Sequence, residues 1–342
     1  MTHGLRRLDP PRAPLYFALS SSTLSCLALL AALAPPAALA QEPFPTRIVR
    51  IVAATPAGSS VDIAARITAE RMSKNVGQQF IVENRAGASG LIGIRDVARS
   101  PADGYTLVFS STGPFAVVPN FNPEQAVDIV KSFESVALVS SFAQFFVAAP
   151  GMGVRDMKSF VVKVKAAPGK YNYAHPGLGQ TQHIAQAAFV DLLGLNMVAV
   201  PFPGSTPAQR DVMADRAAMG MGGASSIKGS TLVPLAVLYT RRLDSMPDVP
   251  TMAEAGFPEF MKLSSWLSWN AVLAPGGTPR PIVARLNGYY NDALRDTEVN
   301  KRLVDLGQEN MVGSTPESAR EFIAREVNAW AAVIRKLGIK AE

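Results

Sequence analysis

Arg50-Ile51-Val52-Ala53-Ala54-Thr55-Pro56-Ala57-Gly58-Ser59-Ser60-Val61-Asp62-Ile63-Ala64-Ala65-Arg66 is the stretch from which the fold can be read. Its apolar, β-branched opening, Ile48 to Val52, predicts a buried strand. Pro56 and Gly58 break the run, Ser59, Ser60 and Asp62 suit a helix N-terminus, and Ile63 and Ile67 follow at helical spacing. A strand, a small-residue turn and a helix start form an anion cradle. The turn's N–H groups are unpaired, the helix dipole adds partial positive charge, and small side chains let a ligand approach. Pro56, Ala57, Gly58, Ser59, Ser60 and Asp62 are therefore candidate ligand-binding residues.

Working outward, Phe80-Ile81-Val82-Glu83-Asn84-Arg85-Ala86-Gly87-Ala88-Ser89-Gly90-Leu91-Ile92-Gly93 repeats the device: strand, Gly-rich turn, helix. The Gly87, Gly90 and Gly93 spacing is not that of a dinucleotide fingerprint, and a tight turn with close helix packing is the better reading. Pro101-Ala102-Asp103-Gly104 then turns the chain into a strand, Tyr105 to Phe109, which ends in Ser110-Ser111-Thr112-Gly113. Ala88, Ser89, Gly90, Ser110, Ser111 and Thr112 join the candidates.

Strands and helical patterns keep alternating, which predicts an α/β fold with a mostly parallel sheet. Asn172-Tyr173-Ala174 runs into a loop from His175 to Thr181, and a helix follows through Leu193. Met197 to Val200 runs into Pro201-Phe202-Pro203-Gly204-Ser205 and another helix, and Pro234 to Leu238 is a further buried strand. Ligands in open α/β sheets bind beyond the strands' carboxyl ends, which adds His175, Gly177, Gly179, Thr181, Gly204 and Ser205 as candidates. Thr315-Pro316 starts the last helix, whose stripe of Phe322, Ile323, Val327, Trp330, Ile334 and Leu337 is core. Trp266 and Trp269 are expected to be buried.

Residues 1–40 read as a secretory leader and not as part of the fold. Arg6, Arg7 and Arg12 form a positive n-region, Leu15 to Leu33 is apolar apart from a Ser/Thr cluster, and Ala38-Leu39-Ala40 is a cleavage site before Gln41. Cys26, the single cysteine, leaves with it. The leader's three Arg and one Asp lower the formal net charge from +6 to +4 for the mature chain. That charge is mild and scattered, which points away from nucleic acid. A mature chain of 302 residues without cysteine fits an exported protein in two domains, stabilised by its core.

The order of these segments resembles the Bug-type solute-binding receptors of tripartite tricarboxylate transporters. The resemblance starts with the loop after the first strand, Val82-Glu83-Asn84-Arg85 and Asp103-Gly104-Tyr105-Thr106-Leu107. It continues through Asp128 to Ala137, Pro168 to Ala174, Val200 to Ala208, Pro247 to Gly256 and Leu273 to Pro279. It implies a class II periplasmic-binding-protein fold with two lobes joined by two extended crossovers. Residues 41–145 and 270–342 would form lobe I and 146–269 lobe II, with crossovers near Phe145 to Ala148 and Trp269 to Val272. It also implies a monomeric, periplasmic receptor that captures a small carboxylated organic anion for membrane permease subunits, with no cofactor, metal or catalysis. The chain departs from the family where an acidic strand residue is replaced by Ala218 and the segment before Ile227 is shorter.

A hydrolase and a sensor uncoupled from transport are the competing classes. No G-x-S-x-G elbow, Walker motif or zinc spacing is present, and the mature chain holds only His175 and His183. Nothing in the sequence divides sensor from transport receptor.

Overall fold

The protein is described by a computed structural model, which covers Met1 and residues 43–121, 127–264 and 266–338. The leader and its cleavage site lie outside the described residues. Pro45–Glu342 forms one compact unit.

Eleven strands are described. They are β1 (Val49–Ala53), β2 (Phe80–Asn84), β3 (Thr106–Ser111), β4 (Phe133–Phe142), β5 (Phe145–Ala148), β6 (Tyr171–His175), β7 (Met197–Pro201), β8 (Met219–Gly222), β9 (Val233–Val237), β10 (Ser268–Pro275) and β11 (Glu309–Asn310). The helices of eight or more residues are α1 (Ser60–Val76), α2 (Leu91–Ala98), α3 (Met157–Lys165), α4 (Thr181–Leu192), α5 (Ser205–Met213), α6 (Arg280–Arg295), α7 (Thr297–Asp305) and α8 (Pro316–Leu337). The strands form two sheets, ordered β11-β4-β10-β3-β1-β2 and β7-β6-β8-β5-β9. Each mixes parallel pairs (β1 with β2 and β3; β6 with β7 and β8) with antiparallel ones. This is the two-lobed α/β architecture expected of the class II fold.

The chain passes between sheets twice, first at Ala143-Gln144 and again between β9 and β10. The passages end beside the segments expected as crossovers, which themselves continue as buried strands inside the sheets: β5 lies between β8 and β9, and β10 between β4 and β3. An apolar run signals burial on both faces and does not say whether the strand links lobes or fills one.

Local chemistry explains the elements. In β1, Val49, Ile51, Val52 and Ala53 are fully buried, each large one worth about 1.5–3 kcal/mol. Arg50 points outward to Glu83 and Asp96. The strand starts one residue later than expected, leaving Ile48 half exposed. Ser59 caps α1 by accepting the Asp62 N–H, and Gly77 ends it with φ 75°. Thr315 and Ser318 form a capping box for α8, with Pro316 at its first position. Ile323, Trp330 and Ile334 on that helix are buried.

An aromatic spine runs between the halves. The Phe146 ring lies 4.9 Å from Phe189 and 5.7 Å from Phe260; Trp266 stacks on Phe260 at 4.6 Å, and Trp330 meets Trp266 edge-on at 5.6 Å. Trp266 and Trp269 are both buried. The Trp269 indole donates to Glu326 (3.0 Å) and its ring stacks on Phe115.

Candidate functional site

β1 and β3 both finish at the end of the first sheet where Asn270, in the first half of β10, pairs with Ser111. The turn after β1 is built around Asp62. Its carboxylate accepts from the Gly58 N–H (2.8 Å), the Asn84 amide (2.8 Å) and Arg66 Nε (3.1 Å). Burial pushes the Asp62 carboxyl up, but hydrogen bonds from Gly58, Asn84 and Arg66, with the Arg66 charge, outweigh it and hold it below the usual carboxylate range. Gly58, at φ 76°, is therefore a donor to Asp62. The Ser60 and Val61 N–H groups, in the first turn of the 17-residue α1, have no partner among the described residues. The Ser59 hydroxyl bridges to Thr55 (2.9 Å) while capping the helix.

Six contacts join this sheet's loops to those of the other. Ser89 Oγ donates to the Leu178 carbonyl (2.9 Å), and Gln180 Nε2 donates to the Ser89 carbonyl (3.2 Å). Ala88 and Ser89 hold the left-handed conformation (φ 47° and 53°) that turns Ser89 toward this partner loop. Gly177 packs on Ser89, where a Cβ would sit 3.1 Å from the serine Oγ, and Gly113 packs on the amide tip of Gln180. Gly204 lies against Pro56, and Gly307 against Ala224. None of these contacts uses Lys or Arg.

The remaining candidates fall in three groups. Gly90 and Ser110 are buried beneath the loops; a Cβ on Gly90 would strike Pro114 and the Ala54 carbonyl. Thr112 is fully buried and tied to β10: its Oγ1 accepts from the Trp269 N–H (2.8 Å). Ala57 is exposed and Thr181, the first residue of α4, half-buried. Ser205 donates to Gln182 Oε1 (3.2 Å), and Gln182 in turn donates to Gln144 Oε1 (2.9 Å).

His175 is not a loop residue. It is the last residue of β6, fully buried, its ring 4.4 Å from that of His183. Neither His175 ring nitrogen has a hydrogen-bond partner, and burial lowers its pKa. His183 accepts from the Gly179 N–H (3.3 Å) and packs edge-on to Phe121. Among the described residues no third metal-ligating side chain joins the pair.

Sequence reasoning missed a set of buried amides. Gln144, Gln182, Asn270 and Gln308 are each under a tenth exposed. For two of them the signal was a lone amide inside an apolar run, Ala143-Gln144-Phe145 and Trp269-Asn270-Ala271; Gln182 and Gln308 sit in polar stretches and gave none. The segment after Ala218 is closed locally: the Ala218 N–H donates to Asn172, and residues Ala224–Ile227 form one turn beneath Gly307. A separate pocket opens beside the first passage between sheets, lined by Ser141, Tyr239, Arg241, Asp244 and Glu309. Gln308, which donates to the Ser60 carbonyl (3.1 Å), also lines it, and Arg241 there is paired with Glu309 (2.8 Å).

Residues 64–339 match the tripartite tricarboxylate transporter family receptor, TctC. Three solved structures are similar over nearly their whole length. The periplasmic binding protein BugD is 29% identical, with a TM-score of 0.81, covering 87% of this chain and 100% of that one. Rpa4515 of R. palustris with adipate is 29% identical, with a TM-score of 0.82 and coverage of 87% and 99%. MatC of Rhodopseudomonas palustris with bound malate is 28% identical, with a TM-score of 0.79 and coverage of 85% and 100%. The chain belongs to the tripartite tricarboxylate transporter receptor family, the Bug-type periplasmic solute-binding proteins.

Proposed function

We propose that this chain captures a small carboxylated organic anion between its two lobes and delivers it to membrane permease subunits. The observation that carries the reading is the pair of unpaired N–H groups at Ser60 and Val61, at the N-terminus of a long helix, set within loops that both sheets contribute. The positive end of the helix dipole and two free donors suit a carboxylate without an arginine fork. The adipate and malate in the two relatives are carboxylates as well. We take the receptor to act as a monomer without a cofactor, and propose Ser59, Ser60, Ser89, Gly177 and Ser205 as the ligand-facing set.

Calorimetric titration of a carboxylate that binds, against its amide, tests the charge requirement. Hydrogen bonds to a charged group contribute roughly 1.5–3 kcal/mol, so the acid is expected to bind at least tenfold more tightly. Equal affinity would remove the anion cradle. Co-purification of the receptor with its membrane subunits, strengthened by the ligand, tests delivery.

Export is proposed to follow cleavage after Ala40. The secreted protein should have the mass of residues 41–342, beginning at Gln41; a secreted species that retains the first forty residues would refute that site.

A further inference from the structure

The buried amides at the end of the first sheet form a relay whose direction is fixed. The carbonyl of Ser60, in the first turn of α1, accepts from Gln308 Nε2 (3.1 Å). A carbonyl only accepts, so Gln308 must present its NH2 there and its Oε1 to the interior. That oxygen accepts from the Ser140 hydroxyl (2.6 Å) and from Asn270 Nδ2 (3.1 Å), and Asn270 Nδ2 also reaches Ser140 Oγ (3.0 Å). Asn270 is thus committed to donating inward, and its Oδ1 is left with no partner although the residue is fully buried. Two positions earlier, on the same face of β10, Ser268 is also buried and its Oγ has no partner either. Leaving a buried polar atom bare costs about 1–3 kcal/mol, and two of them on one strand face mark a place built to meet a partner.

We propose that Asn270 Oδ1 and Ser268 Oγ form a subsite that accepts a hydroxyl of the ligand, so that the protein selects hydroxy acids over their deoxy counterparts. This rests on the carboxylate-receptor reading. The relay joins the subsite to α1: the amide that orients Asn270 also holds the Ser60 carbonyl, in the residue whose N–H faces the anion. A hydroxyl is the donor that fits. An ammonium would be buried beside neutral amides and hydroxyls, without a counter-charge among the relay's members. A site with bare acceptors rejects the analogue that lacks the donor, because its own polar atoms then stay unpaired.

The test is calorimetric titration of the mature protein with matched pairs, malate against succinate and citrate against tricarballylate, on the parent and on Ser268→Ala. The Ser268 hydroxyl has no partner in the protein, so alanine there should not lower the temperature of thermal unfolding. The hydroxylated member of at least one pair should bind tenfold or more tightly. Ser268→Ala should cut that preference at least threefold while sparing the deoxy member. Equal binding within both pairs overturns the hydroxyl subsite and leaves the receptor reading standing. A preference that survives Ser268→Ala unchanged overturns its assignment to these atoms. Failure of all four acids, and of a wider carboxylate set, overturns the receptor reading and this inference together.

Discussion

Replacing Asp62 with alanine should cost the fold about 3 kcal/mol and lower ligand affinity roughly a hundredfold. The stability estimate follows from the donors that Asp62 satisfies: the Gly58 N–H, the Asn84 amide and Arg66. Arg66 is about half exposed and returns to water at little cost, so the backbone donor and the Asn84 amide carry most of the loss. The affinity estimate follows from the turn. Without its anchor, two or three residues ahead of Ser60 must be ordered on binding, at about 1–2 kcal/mol each. One effect opposes this, since removing a carboxylate near an anion site favours the anion. It is the smaller effect, because the Asp62 charge is neutralised by Arg66 at 3.1 Å. Gly58→Pro breaks the same hydrogen bond from the other side and cannot adopt φ 76°. The double variant should therefore bind little worse than either single one, while Ser60→Ala stays within about twofold. Urea unfolding and titration calorimetry on these four proteins read both quantities. Undiminished affinity in Asp62→Ala would move the site away from the first loop.

The sequence resolved what is local. Ser59 as cap, the start of α1 and the Thr315-Pro316 entry to α8 all depend on residues within one helical turn, and capping chemistry is readable at that range. The strands β1 and β6 were found within a residue or two for the same reason. What stayed hidden depends on where distant segments meet. Gly58 and Asp62 lie four apart, but the Asn84 amide that completes their arrangement arrives from β2. Ser89 and Leu178 are 89 residues apart, and only the approach of the two lobes joins them.

His175 shows the limit at a single residue. The segment from His175 to Thr181 reads as a loop because Pro176, Gly177 and Gly179 follow. Yet β6 continues one residue further, pairing His175 with Pro201. That one step moves the imidazole from a cleft loop to full burial against His183. Gln144 and Asn270 were passed over because each stands alone among apolar neighbours, and Gln182 and Gln308 because each sits in a polar stretch that reads as surface. Their meaning lies in the relays they form across the sheet.

The same histidine pair should make the protein lose stability in mild acid. Burial, then the neighbouring His175, brings the His183 pKa down to about 3, and burial lowers that of His175. Both imidazoles are neutral in the folded protein at pH 7, whereas in the unfolded chain they titrate near their ordinary value of about 6.5. Above that pH neither state takes up a proton, so the pair contributes no slope. Below it the unfolded chain binds protons that the folded one refuses, and stability falls as the pH drops from 6.5 toward 3. Each group contributes at most about 1.4 kcal/mol per pH unit in that window; His183, with its pKa at about 3, should alone remove about 2 kcal/mol between pH 7.5 and 5, and His175 adds to the loss. The depressed Asp62 carboxyl adds its own loss lower down, as the pH falls from the unfolded carboxylate range through the folded pKa, which leaves the interval above pH 5 to the histidines. His183→Gln keeps an acceptor for the Gly179 N–H and removes one of the two titrations. Urea unfolding at pH 7.5, 6.5, 5.5 and 5.0 should give a clearly shallower slope for this variant than for the parent. Parallel slopes for the two proteins would show that the buried pair is not what acid attacks.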